Sequence, residues 1–261
     1  MMAEIKTSYV ICAVQRSGSS LLCEVLKNTG LAGVPEEYFL YHPEGSNWEN
    51  SPWAQQNGAT TRQAYIDLVR ERGTTANGVF GTKLMWNYFP DVISWLQEMP
   101  AYRTSRPASL LEMLFPNLHY IWMIRDDKVR QAVSWSMAAQ TGMYAAWQAT
   151  VQSPKQKPVY DFEQIDLLCG LILEGEAGWG TFFESNAITP MKVIYEELVA
   201  AYEETGLRIL DFLGVPYPDD LVYGEDRRLK KQATRMNEEW AQRYREMKSI
   251  CGGGWPEHGC T

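Results

Sequence analysis

Positive charge is in short supply along this chain. Its 261 residues carry 24 lysines and arginines against 32 aspartates and glutamates, a formal net charge of −8. A nucleic-acid binder presents a basic face, so this balance argues against nucleic acid as a partner. Any anionic ligand must then be met by cations gathered at one place. Long hydrophobic runs are missing as well. The apolar stretch after Lys6 is short, lacks a small-residue cleavage site and runs straight into a Ser/Gly loop. Neither a membrane span nor a signal peptide is expected, and the protein is expected in the cytoplasm. Cysteines are few and odd in number: Cys12, Cys23, Cys169, Cys251 and Cys260. That argues against a disulfide framework. Cys251, His258 and Cys260 lie in a glycine-rich ending at a spacing too loose to argue for a metal, and 248–261 reads as a mobile tail. Cys12 precedes a loop, as a phosphatase nucleophile would, but the arginine such a loop needs six residues later is replaced by Gly18. Cys12 is therefore assigned to the core.

What is present describes an ordinary soluble globule. Hydrophobic residues make up 45% and charged residues 21%, enough for one sizeable core, and we read 1–261 as a single domain. Strands are expected near 9–14, 78–84, 118–124 and 190–195. Helices are expected near 19–28, 60–71, 91–98, 107–114, 127–147, 161–184 and 197–213. Strands alternating with helices imply an α/β fold, a central parallel sheet with helices on both faces. The stretches 43–60 and 149–160 read as loops, and there is no internal repeat or low-complexity tract.

The most informative segment is YVICAVQRSGSSLL, residues 9–22. An apolar strand enters a Ser/Gly loop that opens a helix, whose Leu21, Leu22, Val25 and Leu26 share one face before Gly30 ends it. Backbone N–H groups and the helix dipole make such a junction an anion site. Laid on the ATP-binding pattern G-x-x-x-x-G-K-[ST], the segment puts Ala13 for the first glycine, Gly18 for the second, Ser19 for the lysine and Ser20 for the metal-binding hydroxyl. Two defining positions are wrong, which points to a phosphate-type ligand other than a nucleoside triphosphate. Arg16 supplies a fixed cation suited to phosphate or sulfate oxygens. The alternative is a plain strand–turn–helix corner with an exposed arginine.

A second strand, LHYIWMI at 118–124, ends in Arg125 where a magnesium-holding Asp would stand. A cation in that place attracts a further anionic group. Ser134 follows nine residues on, in a helix striped by Val129, Ala132, Val133 and Met137. A salt bridge at a strand end is the bland alternative for Arg125.

At these residues the chain resembles a family. QRSGSSLL, Arg125 with Ser134, VIYEEL at 193–198 and LRILDFLGVP at 207–216 resemble sulfotransferases that use 3′-phosphoadenosine-5′-phosphosulfate (PAPS). LAGVPEEYF at 31–39, GTKLMWN at 81–87, EAGWGTFF at 176–183 and KKQATRMNEEWAQRYRE at 230–246 bring it closer to the bacterial, mycobacterial-type trehalose 2-sulfotransferase family. The likeness runs from about residue 8 to about residue 247. It implies a P-loop-like fold in which Gln15, Arg16, Ser17, Gly18, Ser19 and Ser20 hold the 5′-phosphosulfate, and Arg125 with Ser134 the 3′-phosphate. The donor has no γ-phosphate for a loop lysine to reach, and no metal is implied. A homodimer is also implied, as is a small-molecule or glycolipid acceptor.

The resemblance makes Glu37 the general base. Sulfuryl transfer to an alcohol needs the hydroxyl proton removed as the new bond forms, so a carboxylate must reach the acceptor. Glu36 should face the other way, because neighbours in an extended stretch point oppositely. Without the resemblance, the pair reads as a solvated turn. His42 is the competing base, outside any matching motif. Lys83 interrupts an apolar strand and must be paired or functional; the resemblance places it near the transferred group, and we count Arg16 and Lys83 with Glu37 as catalytic. Glu196 and Glu197 are read as helix-start carboxylates without chemistry. Trp48, Trp53 and Trp86 are candidates for the apolar side of a sugar, with packing as the alternative. Val34 stands where the trehalose family has an acidic residue, which removes a hydroxyl acceptor, so the donor is implied but trehalose as acceptor is not. A kinase with a degenerate phosphate loop and a non-catalytic binding protein are the competing classes.

Overall fold

The computed structural model describes residues 4–40, 48–144, 156–224 and 235–250. In chain order it contains β1 (Thr7–Ala13), α1 (Ser19–Asn28), α2 (Pro52–Gln56), α3 (Arg62–Gly73), β2 (Val79–Met85), α4 (Phe89–Gln97), α5 (Pro107–Leu114), β3 (Leu118–Ile124), α6 (Lys128–Thr141), α7 (Phe162–Ser185), β4 (Met191–Ile194), α8 (Tyr195–Ala200), α9 (Tyr202–Phe212) and α10 (Arg235–Ile250). Short 3₁₀ turns at Trp48–Asn50 and Trp86–Tyr88 complete the described elements.

All four strands run parallel, in the order β2-β1-β3-β4. Side chains of a strand alternate between faces, and the two cores follow that alternation. Val10 and Cys12 of β1, with Val14 just past its end, pack with Phe80, Leu84 and Tyr120 under α3 to α7 and α10. Tyr9, Ile11 and Ala13 pack with Val79, Ile121, Met123 and Val193 under α1, α8 and α9. A strand buried on both faces is a near-continuous apolar run, as its sequence shows. The expected α/β architecture with helices on both faces is the observed one.

Strand order also locates the site. From β1 the chain crosses to β2 on one side, and from β3 to β4 on the other, so the connections part between β1 and β3. In open parallel sheets ligands bind at such a switch point, beyond the carboxyl ends of the strands. The loop after β1 and Arg125 after β3 both lie there.

Several boundaries differ from expectation for local reasons. The helix expected at 127–147 ends at Thr141, where Gly142 takes the left-handed conformation (φ 71°) that closes a helix. The helix expected at 197–213 is two, because Ala201 (φ −132°, ψ 60°) breaks it. Within the expected loop 43–60, Ser51 caps a short helix by accepting the Ala54 N–H (3.2 Å), with Pro52 pre-set at its first position. Residues 248–250, expected to belong to a mobile tail, lie in α10 instead, and Lys248 Nζ sits 2.6 Å from Asp166 Oδ1 of α7. His42, residues 149–155, Lys230 and the cysteine- and histidine-bearing segment 251–261 lie outside the described residues. Cys12, Cys23 and Cys169 are free and buried. Among the described residues, no helix is long and apolar enough to cross a membrane.

Candidate active site

The loop after β1 is held from both sides. Val14 O accepts the Ser17 N–H at 3.2 Å, and Gly18 O accepts those of Leu21 (2.9 Å) and Leu22 (3.1 Å). Two side chains pin the approach: Trp179 Nε1 donates to Ala13 O at 3.0 Å, and Gln131 Nε2 to Gln15 O at 2.8 Å. Gln15 itself donates to Asn87. Arg16 and Gly18 have positive φ, 62° and 96°. At Gly18 only glycine fits, because an added Cβ would stand 2.3 Å from Cδ2 of Tyr195. Gly18 caps α1 without a side-chain hydrogen bond, and no acidic residue lies in the first turn. The positive end of that helix therefore opens on the loop, as an anion requires. Ser17 is fully buried and its Oγ has no partner among the described residues. Such a hydroxyl costs free energy unless something completes it, which fits an oxygen-rich ligand seated in the loop.

Two arginines converge on the far side of this loop. Arg16 Nε donates to Ser134 Oγ at 3.0 Å, and its Nη1 to Tyr144 O. The Arg125 guanidinium stacks 4.6 Å over the Tyr195 ring, with its side chain 12% exposed and its Nε without a hydrogen-bond partner. Burial first, and then the Arg125 charge, lower the Arg16 pKa; burial lowers that of Arg125. Both remain cations at neutral pH. Two largely buried cations close enough for the charge of Arg125 to act on Arg16 make a place suited to an anion. The fixed charges missing from the overall composition are concentrated at this point.

On the near side stands Glu37. The segment 34–38 is tied to the end of α3, where Val34 N donates to Gly73 O at 2.9 Å, and to β2, where Glu36 O accepts the Lys83 N–H at 3.0 Å. This extended path turns the two glutamates apart, Glu36 toward Lys27 and Glu37 toward Lys83, as the alternation of an extended chain dictates. The Glu37 Oε2 to Lys83 Nζ distance is 2.9 Å. Lys83 is 5% exposed, and its Nζ also lies 3.4 Å from Ser20 Oγ at the start of α1. Burial pulls the Lys83 ammonium down, but the Glu37 carboxylate, aided by Cys23 and Glu36, outweighs it and the net shift is upward. A carboxylate, an ammonium and the start of α1 thus meet within one hydrogen-bonded chain.

Not every expectation survives in side-chain detail. Trp48 is 1% exposed, locked among Phe39 and Trp95 with its Nε1 on Leu40 O at 2.9 Å, and is core. Trp86 packs on Phe89 and Trp179. Trp53 lies against Tyr38, 5.8 Å between ring centres, and Tyr38 OH donates to Val34 O at 2.9 Å. Trp53 is thus placed beside the Glu37 segment without being locked into the core as Trp48 is. Glu196, read as inert, accepts the Asp126 N–H at 3.0 Å and so touches the Arg125 corner. Gln131 was not singled out, and Trp179 was met only inside the matching stretch EAGWGTFF, without a role; their partners are 116 and 166 residues away.

A Ser/Gly loop at the switch point of a parallel sheet, with two arginines on one side and a lysine-paired carboxylate on the other, has the makings of a site for an anionic group. The model of the family described as Stf0 sulphotransferase matches residues 8–247. The trehalose 2-sulfotransferase of Mycobacterium tuberculosis is 30% identical over 269 residues, covering 94% of this chain and 96% of that protein. Its counterpart from Mycolicibacterium smegmatis is 29% identical over 266 residues, with the same coverage. The sulfotransferase domain of the Synechococcus PCC 7002 olefin synthase shares the fold, with a TM-score of 0.52 at 17% identity over 99% of this chain and 92% of that one. The chain belongs to the Stf0 sulphotransferase family and is a sulfotransferase.

Proposed function

We propose that this enzyme moves a sulfuryl group from PAPS to a hydroxyl of a carbohydrate or glycolipid, without a metal and with Glu37 as general base. The observation that carries the reading is the placement of the Glu37 carboxylate 2.9 Å from Lys83 Nζ, which reaches the phosphate loop through Ser20. The donor supplies the sulfuryl group and leaves as adenosine 3′,5′-bisphosphate. Gln15, Arg16, Ser17, Gly18, Ser19 and Ser20 hold the phosphosulfate end by backbone N–H groups, hydroxyls and the dipole of α1. Arg125 and Ser134 hold the 3′-phosphate. Arg16, hydrogen-bonded to Ser134 at 3.0 Å, sits between the two anionic ends. Lys83 offers a fixed cation to charge building on the transferred group and the bridging oxygen. Glu37 takes the acceptor proton. A sugar acceptor is supported by the names of the two mycobacterial relatives and by Trp53 and Tyr38 beside the base. Both relatives are named for trehalose, but Val34, where the resemblance implies an acid, removes one hydroxyl acceptor, so the proposal stops at the carbohydrate class.

Two measurements test this. Adenosine 3′,5′-bisphosphate should raise the melting temperature where ATP with magnesium does not, and EDTA should leave transfer of labelled sulfate to a panel of sugars and glycolipids intact. The expectation of metal independence comes from Arg125 standing where a magnesium-binding carboxylate would be. Loss of transfer in EDTA, restored by magnesium, would overturn it.

Lys83 and Arg16 are expected to act on the transition state more than on donor binding. Replacing either by Ala should lower kcat by about 10²–10³, with the donor dissociation constant moving much less. An effect confined to KM would make them ground-state binders instead.

A further inference from the structure

The register of the sheet places β4 beside β3 with Ile124 opposite Ile194. One step further, Arg125 lies beside Tyr195 and Asp126 beside Glu196. At this step β4 ends and α8 begins at Tyr195. The neighbouring strand therefore stops offering backbone acceptors just where β3 delivers its cation to the site. Glu196 fills that gap with its side chain. Its Oε2 accepts the Asp126 N–H at 3.0 Å, and its Oε1 lies 3.8 Å from Arg125 Nε. The same corner is held from two other directions. The Tyr195 ring supports the guanidinium from below at 4.6 Å, and Lys128, paired with Glu176 at 2.6 Å, donates to Arg125 O.

We infer that Glu196 is a positioning residue for the donor's 3′-phosphate, acting through Arg125. The inference rests on the PAPS reading above and adds to it a residue that itself touches no substrate. The 3.8 Å separation from Nε is too long for a hydrogen bond, so Glu196 steers the guanidinium without consuming its donors. Its firm bond is to the main chain at Asp126, and that bond fixes where the strand end releases the Arg125 side chain. An arginine recognises phosphate through a planar fork, so a small rotation at its root costs both bonds of the pair.

The test is calorimetric binding of adenosine 3′,5′-bisphosphate and adenosine 5′-monophosphate to five proteins: wild type, Glu196→Ala, Glu196→Gln, Arg125→Ala and Arg125→Ala/Glu196→Ala. Glu196→Ala should weaken the bisphosphate roughly tenfold, in keeping with loss of a well-aligned charge-assisted contact, and leave the monophosphate unchanged. Glu196→Gln keeps an acceptor oxygen for the Asp126 N–H and should recover most of the loss. On the Arg125→Ala background, removing Glu196 should cost nothing further. Equal weakening of both nucleotides, no weakening of either, or a full additional loss in the double variant would each overturn the inference. If wild type fails to prefer the bisphosphate over the monophosphate, the donor reading falls, and this assignment falls with it. A melting curve for each variant separates a local effect from loss of fold, and Glu196→Gln supplies the comparison should Glu196→Ala prove unstable.

Discussion

Arg125→Ala is expected to weaken donor binding by roughly 2–5 kcal/mol, the usual cost of truncating one partner of a buried, hydrogen-bonded charge pair. The side chain is 12% exposed and lies on the Tyr195 ring, so bulk solvent does little to screen its charge and the upper part of that range is within reach. The loss should appear as a contrast between two ligands. Adenosine 5′-phosphosulfate, which lacks the 3′-phosphate, should bind wild type and variant alike, while PAPS or adenosine 3′,5′-bisphosphate should separate them. Arg125→Lys should recover only part of the difference, because a point charge cannot reproduce a planar fork. Unequal affinities for the truncated donor would remove the assignment of Arg125 to the 3′-phosphate.

How far this site could be read in advance depended on the distance over which each residue is specified. Loop residues 15–20 and the strand-end arginine are local: an apolar strand, a Ser/Gly turn and a helix start are visible in consecutive positions, and the strands and helices fell close to their expected places. Lys83 was conspicuous for the same reason, a charge inside an apolar run, and it is buried and paired as such a charge must be. The divergence of Glu36 and Glu37 followed from backbone alternation alone. Partnerships across the sheet were not legible. Glu196 looked like a helix-start carboxylate because its reason for being there, the N–H of Asp126, lies 70 residues away. Trp48 looked like a loop tryptophan because the aromatic cluster that buries it is assembled from Phe39, Tyr65 and Trp95. Helix ends failed where one residue decides them, Gly142 and Ala201. Assignment of Glu37 to catalysis needed the family resemblance, since a Glu-Glu pair after a proline has no chemical signature of its own.

Glu37→Gln is expected to lower the rate of transfer by about 10²–10⁴, the usual contribution of a positioned general base, while donor affinity holds. Glutamine keeps the shape and can still accept a hydrogen bond from Lys83, 2.9 Å away in the native protein; what it cannot do is take the acceptor's proton. Glu36→Gln is the matched control. Its carboxylate pairs with Lys27 and not with Lys83, so its loss should cost little. The pH profile separates the base from its partner. A general base must be unprotonated to act, so an acid limb in the wild-type kcat/KM profile should be missing from the residual rate of Glu37→Gln. Lys83 cannot supply it, because its shift is upward from an already high value and it stays protonated throughout the acid range. Lys83→Ala should therefore keep an acid limb while losing rate, the opposite of what Glu37→Gln does. Were Glu37→Gln to run near the wild-type rate while His42→Ala is inactive, the base would be His42, and the Glu37–Lys83 pair would be reduced to a structural link between the segment 34–38 and the sheet.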